Sequence, residues 1–282
     1  MPSASLRHVL DEMSAHVRGI RAHEAGARAG RDPEDLHQMR VAVRQLRAIL
    51  RASRDLFAPR GVERLRSELD WLGTRLGLVR DLDVLHAYLR PRLAALEGAE
   101  RRAGQRVLRR LAADRVRARA GLQEGLDGPR YPRILDQLDE FLARPPAAAA
   151  DVSLSDVAAT EWKRLRKAVQ KLPGRPSVDE LHAVRIKVKR ARYAAELARA
   201  AAGTRARRFI DQAKKLQDIL GDVQDAVVIE QYLHDAIDRT EPAQALGKHL
   251  VKRQRKRRKK ARVAFFEEWP KLERRGRKAW IA

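Results

Sequence analysis

Cysteine is absent from this chain of 282 residues. Disulfides, thiolate zinc sites and thiol catalysis are thereby excluded, and the absence fits a reducing compartment. Aromatic residues make up only 5%, so a core drawn from the 44% of hydrophobic residues must be mainly leucine, alanine and valine. No run approaches the ~18 uncharged apolar residues that a membrane helix needs. The opening MPSASLRHVLDEM lacks the apolar centre of a secretory signal, so a cytoplasmic protein is expected. Carboxylates are scarce relative to cations: Asp+Glu 37 against Lys+Arg 61, a formal charge of +24. An arginine-rich coding bias would explain a preference for Arg over Lys, but not this uncompensated charge. A field of that size attracts polyanions and repels itself. On charge alone, nucleic acid, an anionic membrane and polyphosphate are all open as partners.

Alternating β patterns are also missing. Apolar residues recur every three or four positions almost throughout, which predicts an all-α fold. Asp32-Pro33-Glu34 reads as an N-cap followed by proline at the first helical position. Ser177-Val178-Asp179-Glu180 reads as a capping box. The stretch from Arg144-Pro145-Pro146-Ala147 to Asp151 is the best linker, and it predicts two domains, 1–144 and 151–282. Four main helices are expected in the first half, starting near Ser3, Asp32, Val62 and Glu97, with an extra short one near Arg133. In the second they are expected near Ser153, Ser177, Arg205 and Glu241. The third helix of each half carries a glycine, Gly77 or Gly221, and four residues on an aspartate, Asp81 or Asp225. Glycine weakens a helix there and predicts a kink. Two antiparallel four-helix bundles related by a pseudo-twofold are the expected architecture.

The pattern His-x-x-Arg-x-x-x-basic-x-x-Arg occurs once in each half, as His37, Arg40, Arg44, Arg47 and as His182, Arg185, Lys189, Arg192. The offset is 182 − 37 = 145. LGTRLGLVRDLDVLHAYL from Leu72 matches LQDILGDVQDAVVIEQYL from Leu216, an offset of 216 − 72 = 144. Two blocks recurring in one order point to an internal duplication. At 100° per residue, with the histidine at zero, the cations fall between about 280° and 340° on each helix. Leu36, Met39, Val43, Leu46 and Leu50 mark the core side, while Val41, Ile186 and Tyr193 lie on the other flank. A cationic row with apolar borders on both sides is not an ordinary solvated face. The bland alternative is a row of arginines snorkelling over the core edge and pairing with acids such as Asp81 and Asp225. Two matched rows favour a bound anion, because aligned cations repel and an anion offsets that. The guanidinium fork also suits phosphate, and a protonated histidine donates to it as well.

These residues resemble the CHAD domain, the conserved histidine α-helical domain. The resemblance lies in LHQMRVAVRQLR and LHAVRIKVKRARY, then LGLVRDLDV and KKLQDILGDVQDAV, and its order and spacing span nearly the whole chain. It implies two four-helix bundles whose basic surface and central cavity bind inorganic polyphosphate, and an association with polyphosphate granules. Some members are fused to a triphosphate-hydrolysing tunnel domain, for which no room is expected here. The implied ligand-facing positions are His37, Arg40, Arg44, Arg47, His182, Arg185, Lys189 and Arg192. Arg51 extends the first row as a further polyphosphate-binding candidate, although its counterpart is Glu196, and Lys214 and Lys215 are candidates too, although they stand opposite Asp70 and Trp71.

Other signals are weaker. Nine of eleven residues from Lys252 to Arg262 are basic, without an apolar stripe, so this run is expected to face solvent or line a ligand. A nucleic-acid patch is an equal reading there, and Phe265, Phe266 and Trp269 read as a docking anchor. Asp83 and His86 stand one turn apart, but their counterparts Val227 and Glu230 do not match, and no metal site or cofactor is expected. No role is assigned to His8, His16 or His23. There is no Walker loop and no G-x-S-x-G elbow. Arg40 and Arg44 crowd His37, against a phosphorelay role, so no enzyme is expected. The rival reading is a basic helical protein that binds nucleic acid non-specifically. Against it, the rows offer no base-reading Asn or Gln.

Overall fold

The computed structural model describes residues 3–146, 152–237 and 240–280. Among them there are nine helices and a single 3-10 turn, and no strand. Contacts divide the chain into two compact units, Met1–Asp151 and Val152–Ala282. Of the linker, Ala147 to Asp151 lies outside the described residues.

The first unit holds α1 (Ala4–Ala29), α2 (Pro33–Ala52), α3 (Pro59–Ala94), α4 (Gly98–Asp127) and α5 (Arg130–Ala143). Ser3 caps α1 by accepting from the Leu6 amide at 3.2 Å. Gly30 then turns the chain in the left-handed region, φ 64°, where glycine carries no steric penalty. Asp32 caps α2 through the Glu34 amide at 2.8 Å, with Pro33 at the first helical position. So short a connection makes α1 and α2 antiparallel neighbours. Their facing sides bury Val9, Met13, Val17 and Ile20 against Leu36, Met39, Val43 and Leu46. The spacing is the 3.6-residue period of an amphipathic helix. α3 packs on α2 and on α4, and α5 packs on α1, α3 and α4. The short helix expected near Arg133 is therefore a fifth member of this bundle. Its Tyr131 hydroxyl donates to Glu24 at 2.8 Å, and Phe141 meets Phe57.

In the second unit, α6 (Leu154–Gln170), α7 (Val178–Leu197), α8 (Arg199–Ala236) and α9 (Glu241–Trp280) pack in a ring, α6 on α7, α7 on α8, α8 on α9 and α9 on α6. The capping box is present. Ser177 accepts from the Glu180 amide at 3.1 Å, and Glu180 accepts from the Ser177 amide at 2.7 Å. The core is unusually aromatic for this chain. Trp162 stacks on Trp269 and meets Phe209 edge-on, and Phe265 lies beside Trp269.

The expected kinks are not where the sequence puts them. The helical backbone runs through Gly77 and Gly221, and the break in α8 is at Gly203, φ 57°, ψ −137°. Gly77 and Gly221 are instead buried and lie under arginine side chains. Packing on both neighbours outweighs the weak intrinsic helix propensity of glycine.

Candidate functional site

The two basic rows run along α2 and α7, each facing the next long helix. A Cβ built on Gly77 would stand 3.7 Å from Arg40 Nε, and one built on Gly221 would stand 3.5 Å from Arg185 Nη2. The first arginine of each row thus lies across the glycine of its own neighbouring helix, in matching register. Within the first unit, Arg40 also donates to Asp81 at 3.3 Å. Burial pushes the Arg40 guanidinium pKa down. Asp81 opposes that shift, while Arg44, Arg80 and Arg47 add to it. Arg44 is half-buried, with an Nε that has no hydrogen-bond partner.

His37 is half-buried beside this group, and its Nδ1 is buried without a partner. Burial lowers the imidazole pKa. Arg80, Arg44 and Arg40 lower it further, and Glu34 resists. Arg80 was not among the residues singled out from the sequence, yet it bears on both His37 and Arg40. The available signal was its place in the repeated Leu72 block: its counterpart, 80 + 144 = 224, is Gln224. In the second unit Gln224 Oε1 lies 2.7 Å from His182 Nδ1. One histidine therefore faces a cation and the other a neutral amide.

The far ends of the rows diverge. Arg47 pairs with Asp70, next to Gly73, with its side chain partly exposed. Its counterpart Arg192 is only 8% exposed. Arg192 Nε donates to Gln217 at 3.1 Å, Nη1 pairs with Glu196, and the guanidinium lies 4.2 Å from the centre of the Tyr193 ring. Arg192, expected to face a ligand, is thus turned inward. Glu196 stands where the first half has Arg51, which is exposed. Lys189 is half-buried, and His182 and Lys214 are exposed. Lys215 reaches Glu268 at 2.9 Å. Lys271, Lys215 and Gln212 together hold the Glu268 carboxyl down to about 2. Lys215 is therefore a strut between α8 and α9.

The Lys252 to Arg262 run faces solvent, as expected, only in part. One side of it docks on the acids of α8: Arg257 reaches Asp222 at 2.6 Å, and Arg258 reaches Glu230 at 2.8 Å. Gln254, between them and Leu250, is fully buried. Ion pairs substitute for the missing apolar stripe. Asp83 sits in a similar structural arrangement, 2.6 Å from Arg115 and 3.2 Å from Arg119. Among the described residues, no group of three His, Asp or Glu side chains is placed to hold a metal ion. Nor is any helix among them long and apolar enough to cross a membrane.

A sequence model of the CHAD domain matches residues 12–234. The chain belongs to the CHAD domain family. Helix α9 lies beyond the matched segment. Two uncharacterized proteins of Mycobacterium tuberculosis, from strains CDC 1551 / Oshkosh and ATCC 25618 / H37Rv, are each 34% identical to it over 210 residues. That span is 70% of this chain and 39% of theirs, so this CHAD chain matches well under half the length of those relatives. Among solved structures, PptA from Streptomyces chartreusis matches with a TM-score of 0.76 at 23% identity, over 94% of this chain and 98% of that one. The CHAD domain from the plant Ricinus communis matches with a TM-score of 0.73 at 24% identity, over 93% and 90%. At these identities the likeness is one of fold.

Proposed function

We propose that this CHAD domain binds inorganic polyphosphate, without turning it over, through the rows on α2 and α7. The observation that carries the reading is the double construction: Arg40 across Gly77 and Arg185 across Gly221, each preceded by a histidine and followed by a second cation. Arg40, Arg44 and Arg80 concentrate positive charge at partly desolvated sites around His37. Such charge is unfavourable alone and favourable beside a polyanion. Arg47, Arg51, His182, Arg185, Lys189 and Lys214 extend the contact set. Arg192 is held inward by Gln217 and Glu196, and Lys215 is paired with Glu268. A protein with this property would partition to polyphosphate granules.

In competition at physiological salt, long-chain polyphosphate is expected to displace itself far better than DNA, RNA or heparin of matched charge. Its affinity should fall with added salt as condensed counterions are released. Equal or tighter binding of double-stranded DNA would replace this reading with the nucleic-acid one. Shortening of the polyphosphate on incubation would show that the protein is an enzyme.

His37 gives a pH test. The free imidazole is held below its ordinary value near 6.5 by burial and by Arg80, Arg44 and Arg40. A polyanion neutralises those cations and raises the pKa, so binding takes up a proton. Affinity should therefore strengthen as pH falls from 8, continuing until the lowered pKa of the free protein is passed. Isothermal titration between pH 5.5 and 8 measures this. His37→Gln is expected to flatten the profile, and an unchanged profile would remove His37 from the site.

A further inference from the structure

Helix α9 has a second cationic face that the rows do not use. Arg257 and Arg258 point inward to the acids of α8, and Gln254 is buried between α9 and the rest of its bundle. Opposite them, Lys252, Arg253, Lys256, Lys259 and Lys260 are exposed. By helical spacing, Lys252, Lys256 and Lys259 share one side of the helix with Val263 and Phe266. Those last two are exposed apolar residues, at 51% and 40%. The aromatic run is therefore split. Phe265 and Trp269 enter the core, whereas Phe266 stays outside, braced edge-on by Phe265 with ring centres 5.2 Å apart.

A solvated aromatic ring at the end of a lysine row has little to offer polyphosphate, which has no planar group. A duplex offers its phosphates but keeps its bases stacked inside. A single strand supplies both phosphates and free base faces, and aromatic platforms in basic tracks are its usual partners. Lysine suits such a ligand, as a mobile point charge with three rotatable donors rather than a rigid fork. At 1.5 Å per residue, Lys252 and Phe266 are about 21 Å apart along the helix. That length accommodates roughly six nucleotides at ~3.4 Å each in a stacked strand.

We propose that this face of α9 binds single-stranded nucleic acid, with Lys252, Lys256 and Lys259 on its phosphates and a base stacked on Phe266. Its residues are other than those of the α2 and α7 rows, and it does not depend on their ligand.

The test is fluorescence anisotropy of a labelled single-stranded oligo(dT) 12-mer on the full chain, with long-chain polyphosphate and a duplex of equal phosphate content measured alongside. A stacked base contributes about 1–3 kcal/mol, so Phe266→Ala should weaken oligo(dT) binding about fivefold or more. Polyphosphate affinity should stay unchanged. Phe266→Tyr should keep the wild-type affinity, and Phe266→Leu should behave like alanine. The triple change Lys252→Ala, Lys256→Ala and Lys259→Ala should lower oligo(dT) affinity and flatten its salt dependence. Phe266 is exposed, so these variants keep their core, and circular dichroism checks it. The proposal is overturned if Phe266→Ala binds like wild type, if Phe266→Leu does, if the triple variant keeps its affinity, or if the duplex binds as tightly as the single strand.

Discussion

Replacing Arg40 and Arg185 together with alanine is expected to weaken polyphosphate binding on the order of a hundredfold or more. Each change removes a charge-assisted hydrogen bond worth about 1.5–3 kcal/mol, and every 1.4 kcal/mol is about tenfold in affinity. These guanidiniums lie across Gly77 and Gly221 on partly buried surface, where screening by salt is weaker than in open solvent. Two changes among the exposed lysines of α9, Lys252→Ala with Lys260→Ala, should cost only a few-fold. Isothermal titration of both double variants compares them directly. Equal losses would mean that only total charge matters, and that the paired geometry of the rows has no special part in binding.

Trp162→Ala is expected to destabilise the second unit by about 3–5 kcal/mol, the range for removing a fully buried aromatic side chain. Trp162 has no exposed surface. Its ring touches Trp269 and Phe209, and in a chain with so few aromatics little else can fill the space. Its indole N–H is buried without a hydrogen-bond partner, an uncompensated polar group. Trp162→Phe removes that donor while retaining a ring, so it should be the milder change by a clear margin. Thermal unfolding followed by circular dichroism reads both. A Trp162→Ala variant that melts with the wild type would contradict the placement of this ring at the centre of the bundle.

Helices were legible because the local rules agree with one another. Ser3, Asp32, Ser153 and Ser177 each accept from a backbone amide at the start of a helix, and the apolar spacing between caps marks the buried side. The basic rows were legible for the same reason, since a wheel fixes which residues share a face. A wheel does not say what the neighbouring helix presents. Arg47 and Arg192 occupy equal angles on their helices, yet one is partly exposed and the other buried. α3 offers Arg47 the carboxylate of Asp70, and Gly73 leaves room beside it. α8 places Gln217 against Arg192, and Glu196 on the same helix draws its guanidinium in. Arg80 was overlooked because it sits on the third helix, away from the pattern that drew attention to the second. The α9 run was expected to face solvent or line a ligand because it lacks an apolar stripe; much of it is exposed, but Asp222 and Glu230 on α8 give its inner side something to bind.

Gly276 sits in the last turns of α9, where an added Cβ would come within 2.5 Å of the Trp162 ring. Alanine would favour the helix by about 1 kcal/mol over glycine, so its absence there marks a point where the two helices are keyed together. Keying sets more than local fit. An α-helix has 3.6 residues per turn, so a slip of α9 by one residue would rotate it about 100°. Such a slip would carry Arg253 or Arg255 into the dry place that Gln254 fills, and would turn Phe266 off its present bearing. The compass direction of a long, highly charged helix is thus set near its C-terminal end, by the space left for one indole.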